Sequence, residues 1–199
     1  MSGGVLVIGG TGYVGSALLA ELRAQGYETL GIARGSAGGT RAVTSCDATD
    51  PTALRAAMHG KTYVVNAMTG PPAAILAVAQ NLGAELVYRR DLRIVQLGSA
   101  AVFGQSDGCY DEHSDPQPLW WHSYGQAHLR AEQMLLQAAN MRGRSLVLRI
   151  GCIYGARSPQ WVDRIGRLLL AGRLGRLGRA GAGVAPLLHV TDLVHTIVR

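Results

Sequence analysis

The chain has 199 residues, the size of one domain or of one domain with a fragment of another. Apolar residues make up 48% and charged residues 16%, which leaves enough to bury a core and excludes a disordered tail, a collagen-like chain and a coiled coil. The net charge of +6 is uneven: residues 1–140 carry nine Lys/Arg against eleven Asp/Glu, residues 141–199 carry ten against two, and Lys61 is the single lysine.

The first apolar run is residues 5–8. Glycines follow, and residues 13–25 then place Val14, Leu18, Leu19 and Leu22 on one helical face, with Gly26 where a helix stop belongs. Residues 29–33 read as a second strand and 41–44 as a weak third. Asp50-Pro51 pairs an N-cap acid with a proline at the first helical position, and opens a helix reaching His59. A strand at 62–66, a helix at 72–82, a strand at 92–97, a long helix at 123–140 and a strand at 145–150 complete the alternation. Apolar strands separated by helices predict an α/β fold, a doubly wound parallel sheet (Rossmann fold) with helices on both faces. Further on, 160–170 reads as a helix. Gly172 to Arg179 is a glycine–arginine–leucine repeat that reads as a turn-rich loop and an arginine-lined rim for an anionic ligand. Residues 187–190 form a short strand, and Thr191 is expected to cap a last helix.

No basic residue precedes the 5–8 run, so no signal peptide is visible. No stretch approaches the ~18 apolar residues of a membrane helix. Cys46, Cys109 and Cys152 lack paired spacing and read as free thiols of a reducing cytoplasm. No His/Cys/Asp spacing points to a metal. Glycines interrupt the basic C-terminal segment and no aromatic residue interleaves with it, which argues against both a membrane and a nucleic-acid partner.

Gly9-Gly10-Thr11-Gly12-Tyr13-Val14-Gly15 follows the first strand directly and opens the first helix, the context that gives a glycine motif its meaning. Glycines let the backbone turn sharply and approach a pyrophosphate, while the helix N-terminus offers free N–H groups and the positive end of its dipole. A plain strand-to-helix turn needs one glycine. The segment therefore predicts a dinucleotide site. Cofactor choice is set at the end of the second strand, where an acid holds the ribose of NAD and an arginine the 2′-phosphate of NADP. No acid lies between Glu28 and Asp47, whereas Arg34 and Ser36 do. This favours NADP over NAD, unless Arg34 is only a solvated loop charge.

Two more segments carry a resemblance. Val95-Gln96-Leu97-Gly98-Ser99-Ala100-Ala101-Val102-Phe103-Gly104 sets a serine past a strand end, and Ser123-Tyr124-Gly125-Gln126-Ala127-His128 opens a long helix. With the glycine loop, these resemble the extended short-chain dehydrogenase/reductases, the NAD(P)-dependent epimerase/dehydratase family. His189-Val190-Thr191-Asp192 is similar to a late segment of that family. The resemblance spans essentially the whole chain. It implies an oxidoreductase, epimerase or dehydratase that moves a hydride to or from a carbonyl/alcohol pair of a small-molecule substrate. It sets Asp47 and Ala48 at the adenine, and Ala67 and Met68 under the cofactor. Leu97, Gly98 and Ile150 fall at the nicotinamide end, Ser99 on the substrate oxygen and Tyr124 as general acid/base. It also implies a homodimer through the helices near 72–82 and 123–140.

The family places a lysine four residues after the tyrosine, whose charge lowers a phenol pKa of about 10 and holds the nicotinamide ribose. Here that position is His128, one turn from Tyr124 on the same face. Lys61 precedes the fourth strand, at the wrong end of the sheet to replace it. Three readings of His128 stand: a pH-sensitive substitute that works when protonated, the mark of a non-catalytic NADP-binding module acting through partners, or altered chemistry without Tyr124 as donor. His113 and His122 read as exposed, His59 and His195 as helix-surface residues and His189 as a strand residue. Trp120, Trp121 and Trp161 read as core or interface residues ahead of substrate platforms, in segments that flank the cleft. Residues 1–155 are expected to form the NADP-binding domain and 156–199 a small substrate-side segment. The sequence stops where similar proteins continue into a substrate-capping lobe, so the expectation is a truncated chain, an open cleft or a cover borrowed from another subunit.

Overall fold

A computed structural model describes residues 3–35, 43–104, 108–139 and 144–199. The main sheet holds six strands: β1 (Gly4–Ile8), β2 (Thr29–Ala33), β3 (Val43–Ser45), β4 (Lys61–Asn66), β5 (Arg93–Ser99) and β6 (Ser145–Ile150). Their spatial order is β3-β2-β1-β4-β5-β6 and every pairing is parallel. The helices are α1 (Tyr13–Ala24), α2 (Pro51–Ala57), α3 (Pro72–Tyr88), α4 (Ser123–Ala138), α5 (Arg164–Leu170) and α6 (Val190–Val198). This is the doubly wound sheet that the alternation of elements predicts.

Strand alternation builds the two faces. Leu6, Ile8, Ile32 and Val64 point to one side, into a core closed by Leu54 of α2, Val78, Leu82 and Leu86 of α3, and Leu135 of α4. Val5, Val7 and Val65 point to the other and meet Leu18, Leu19 and Leu22 of α1 and Val194 of α6. Burial on both faces is why β1 reads as a continuous apolar run.

Polar groups fix the ends of these elements. Asp50 Oδ1 accepts from the N–H groups of Thr52 and Ala53 at 2.8 and 3.2 Å, capping α2. Arg144, 8% exposed, donates to the carbonyls of Leu86 and Arg89 at the end of α3. Lys61 opens β4 beside Gly4 and pairs with Glu28, at the end of the sheet away from the glycine loop.

Three details depart from the expected elements. Helix α3 runs on to Tyr88, through Gly83, which is buried against α4 near Ala138. A short strand β7 (Cys152–Tyr154) pairs in parallel with β8 (Leu187–His189), a non-local pairing too brief to show in the sequence. The cap of α6 is the His189 side chain, which accepts from the N–H of Thr191 at 3.3 Å, rather than Thr191 itself. Residues 41, 42 and 140 of the expected third strand and long helix lie outside the described residues.

Asp50 gives a direct check on this reading of the local structure. Asp50→Ala removes both cap bonds, and urea unfolding is expected to show a loss of about 1 kcal/mol; an unchanged midpoint would show that the cap contributes nothing.

Candidate functional site

The strand order reverses between β1 and β4, so the chain leaving β1 and the chain leaving β4 diverge and open a cleft at the C-terminal ends of the strands. Gly9 turns the chain out of β1 with φ 84°, and the N–H groups of Gly9 and Gly10 both donate to the Ile32 carbonyl at 2.9 Å. A Cβ on Gly9 would stand 2.9 Å from the Ala67 carbonyl oxygen, and one on Gly15 only 2.2 Å from the Gly9 carbonyl oxygen. The glycines thus bring α1 and the β4 loop against the turn, and Gly12 caps α1 with no side-chain bond to its first N–H groups. Those N–H groups face the cleft without intrahelical partners.

Beyond this turn, one half of the cleft is a cavity of about 260 Å³ walled by Thr11, Arg34, Asp47, Ala48, Ala67 and Met68, among others. Asp47 Oδ1 accepts from the backbone N–H and hydroxyl of Thr49, at 3.0 and 2.8 Å. These bonds, with a smaller contribution from Arg34, hold its carboxyl below the usual range. Asn81 of α3 donates to the carbonyls of Ala48 and Thr49 and fixes that loop. Arg34 is exposed at the rim; Ser36 lies outside the described residues.

The other half, about 460 Å³, is walled by Tyr13, Val14, Leu97, Gly98, Ser99, Tyr124, His128, Ile150 and Trp161, and shares Gly12, Ala67, Met68 and Thr69 with the first. Gly10 and Gly15 are absent from both walls and act by packing. The Ser99 Oγ accepts from the Ala101 N–H at 3.2 Å, which leaves its own O–H free to donate. The Tyr124 hydroxyl is 3.5 Å from that of Thr69. His128 stands edge-on to Tyr124, ring centroids 4.4 Å apart.

Two buried polar pairs position these groups. Asn66 donates to Gln96 at 2.8 Å and accepts from the Met68 N–H, setting the loop under the cleft. Arg149 grips Glu132 with two bonds of 2.6 and 3.1 Å, tying α4 to β6. Its guanidinium also lies over the Phe103 ring.

His128 is 3% exposed and neither ring nitrogen has a partner among the described residues. Burial pushes its pKa below the usual histidine range, so the imidazole is neutral at pH 7. This weighs against the reading in which an imidazolium replaces the family's ammonium. None of the residues walling this half is Asp, Glu, Lys or Arg, so its wall carries no formal charge. A neutral imidazole offers one donor and one acceptor, matched to hydroxyls rather than to phosphate. The free helix N–H groups, the close glycine cradle and the orphaned imidazole together fit a nicotinamide dinucleotide.

Several surface readings are revised. Trp120 and Trp121 are 84% and 61% exposed and belong to no core, which leaves the interface half of their expected role. Arg173, Arg176 and Arg179 are exposed but wall neither half of the cleft, so the basic repeat is no rim to it. His113 and His122 are exposed, as their loop predicts. Thr69, Asn81, Ser158 and Gln160 escaped sequence reasoning, while Trp161, expected in a segment flanking the cleft, does wall it; the position of Thr69 just past Met68 was the available signal. Among the described residues no His/Cys/Asp/Glu group is arranged to hold a metal, no helix is long and apolar enough to cross a membrane, and the cysteines are unpaired.

Burial of His128 sets a pH dependence. The unfolded chain binds a proton at the ordinary histidine pKa of about 6.5, while the folded chain does so only at lower pH. Between those points the unfolded state holds the extra proton, so stability falls as pH drops below that value, by at most about 1.4 kcal/mol per pH unit. Urea unfolding from pH 7.5 to 5 is expected to show a shallower acid loss in His128→Gln than in the original chain; parallel curves would mean that the folded imidazole protonates freely.

Comparison with known proteins agrees with this geometry. A dTDP-6-deoxy-L-talose 4-dehydrogenase (NAD(P)(+)) of Kitasatospora kifunensis is 31% identical over 173 residues, covering 78% of this chain and 54% of the relative. The chain therefore spans about half the length of that enzyme. The structure of MoeE5 in complex with UDP-glucuronic acid and NAD is 25% identical, with a TM-score of 0.82 over 98% of this chain and 71% of that one. A UDP-glucose 4-epimerase of Thermotoga maritima shares the fold at 19% identity and a TM-score of 0.81, over 98% of this chain and 72% of that one. The model of the NAD dependent epimerase/dehydratase family matches residues 5–199, and with that match running from the first strand to the last residue, the chain belongs to this family.

Proposed function

We propose that residues 1–155 bind NADP in preference to NAD and that residues 156–199 lie on the substrate side of an oxidoreductase or epimerase acting on a carbonyl/alcohol pair. The observation that carries this reading is a pair of adjoining cavities, sharing Gly12, Ala67, Met68 and Thr69, that set the bare N-terminus of α1 beside Ser99, Tyr124 and His128. Its substrate class would be nucleotide-linked sugars, by likeness to the MoeE5 complex and the dTDP-sugar dehydrogenase.

The first N–H groups of α1 would hold the pyrophosphate, helped by the positive end of the helix dipole. Asp47 and Ala48 would wall the adenosine, and Ala67 and Met68 would floor the cleft. Arg34 supports the NADP preference: its guanidinium stands at the adenosine half, where no acidic group follows β2 among the described residues. The dinucleotide, when bound, supplies a hydride acceptor or donor. Ser99 would donate to the substrate oxygen through its free O–H. Tyr124 would give or take the proton at that oxygen through its hydroxyl. His128, neutral, would hold hydroxyl groups without charging the compartment. We further propose a cytoplasmic protein that self-associates through α3 and α4, where Leu76, Leu129, Met134 and the exposed Trp120 wall an open groove.

Fluorescence titration with NADPH and NADH tests the cofactor reading. NADPH is expected to bind about tenfold or more tightly than NADH, and Arg34→Glu to reverse that order; binding of neither would remove the function. Tyr124→Phe is expected to leave NADPH affinity within twofold and to lower turnover of an accepted substrate by ~10²-fold or more. Unchanged turnover would exclude Tyr124 as the proton donor.

A further inference from the structure

The cavity walled by Ser99 and Tyr124 is also walled by a short turn, Ser158 to Trp161, whose residues the proposed function gives no individual role. Gly155 has φ 140° and Arg157, which is not a glycine, has φ 62°, a conformation that side chains adopt only where the surroundings impose it. Ser158, 1% exposed, follows. Its Oγ donates to the Ile153 carbonyl at 2.9 Å and accepts from the Trp161 N–H at 3.4 Å. The Ser158 carbonyl in turn accepts from Asp163, five residues on, in a π-type turn over Pro159–Asp163. Such turns recur at functional sites. A strained residue, a buried cap and a proline thus fix the backbone that carries Trp161.

Trp161 walls the reactive compartment together with Ser99, Tyr124 and His128, yet it remains 45% exposed. A tryptophan whose backbone is held by a buried serine at a cleft wall, with nearly half its surface in water, offers aromatic surface to a ligand there. Beside it, Gln160 adds an amide to the same wall, a donor and an acceptor. No formal charge borders this space. An aromatic face, an amide, a neutral imidazole and two hydroxyls form the donor set that recognises a polyol ring: C–H groups stack on the indole while hydroxyls find uncharged partners. A phosphate or a carboxylate would find no counter-charge here.

We propose that Trp161 is a substrate-positioning residue, the stacking platform for the hexose ring of a nucleoside diphosphate sugar, holding that ring against Ser99 and Tyr124. The proposal rests on the nucleotide-sugar reading above and adds the residue that selects the sugar.

The test uses the whole chain with NADP present and compares UDP-glucose, dTDP-glucose and GDP-mannose with UDP, dTDP and GDP by calorimetry. Trp161→Ala is expected to weaken the sugar nucleotide that binds best by about tenfold, Trp161→Phe to recover most of that loss, and the matching free nucleotide to bind all three forms alike. In the double variant Trp120→Phe, Trp121→Phe, which leaves Trp161 as the sole tryptophan, the sugar nucleotide is expected to shift the emission and the free nucleotide to leave it unchanged. Equal sugar-nucleotide affinity in Trp161→Ala and the original chain would overturn the platform alone. Equal weakening of sugar and free nucleotides would also overturn it, placing the indole on the base; weakening of NADPH instead would place it on the nicotinamide. If the original chain bound NADPH but none of the sugar nucleotides, the substrate reading itself would fall and the platform with it.

Discussion

The contact of Gly15 with the Gly9 carbonyl governs the site. With no side chain at either position, α1 starts within van der Waals reach of the turn that leaves β1, and a Cβ on Gly15 would stand 2.2 Å from that oxygen. The close start leaves the first N–H groups of α1 bare and sets them at the point where the strand order reverses. The β4 loop passes beneath, kept there by Asn66 and by the small size of Gly9. Any bulk in this turn would lift the helix from the sheet and close the gap between the two loops. The Tyr124 helix, tied to β6 by Glu132 and Arg149, then completes a cleft whose two halves share a single floor.

The two halves differ in charge, and that difference sorts what each is suited to hold. The half walled by Arg34 and Asp47 lies beside a helix N-terminus; the half walled by Ser99 and Tyr124 has none of Asp, Glu, Lys or Arg. Charged phosphates belong to the first and neutral ring atoms to the second. His128 fits that division. Its imidazole, buried and neutral, keeps the compartment uncharged where the family pattern would set a lysine, and the ring still stands edge-on to Tyr124. No Lys or Arg stands beside Tyr124 in that wall.

Much of this was legible in the chain. Apolar runs alternating with helical faces foretold the parallel sheet, since a strand buried on both sides cannot alternate in polarity. The glycine spacing marked the turn at β1 because close backbone approach admits no other residue. Residues separated by long stretches were harder to place. Thr69 meets Tyr124 across 55 positions and Asn81 reaches back to Ala48 across 33, pairings that no local pattern encodes. Trp161 was legible only as a tryptophan in a segment flanking the cleft; Gly155 and Ser158-Pro159 mark a turn there, but not the positive φ of Arg157 or the burial of Ser158.

A crystal structure of the chain grown with NADPH tests the account most directly. It predicts the pyrophosphate on the first N–H groups of α1, the 2′-phosphate beside Arg34, and the nicotinamide in the uncharged half with Ser99, Tyr124 and His128 around it. A dinucleotide bound elsewhere, or with its nicotinamide turned out of that half, would contradict it.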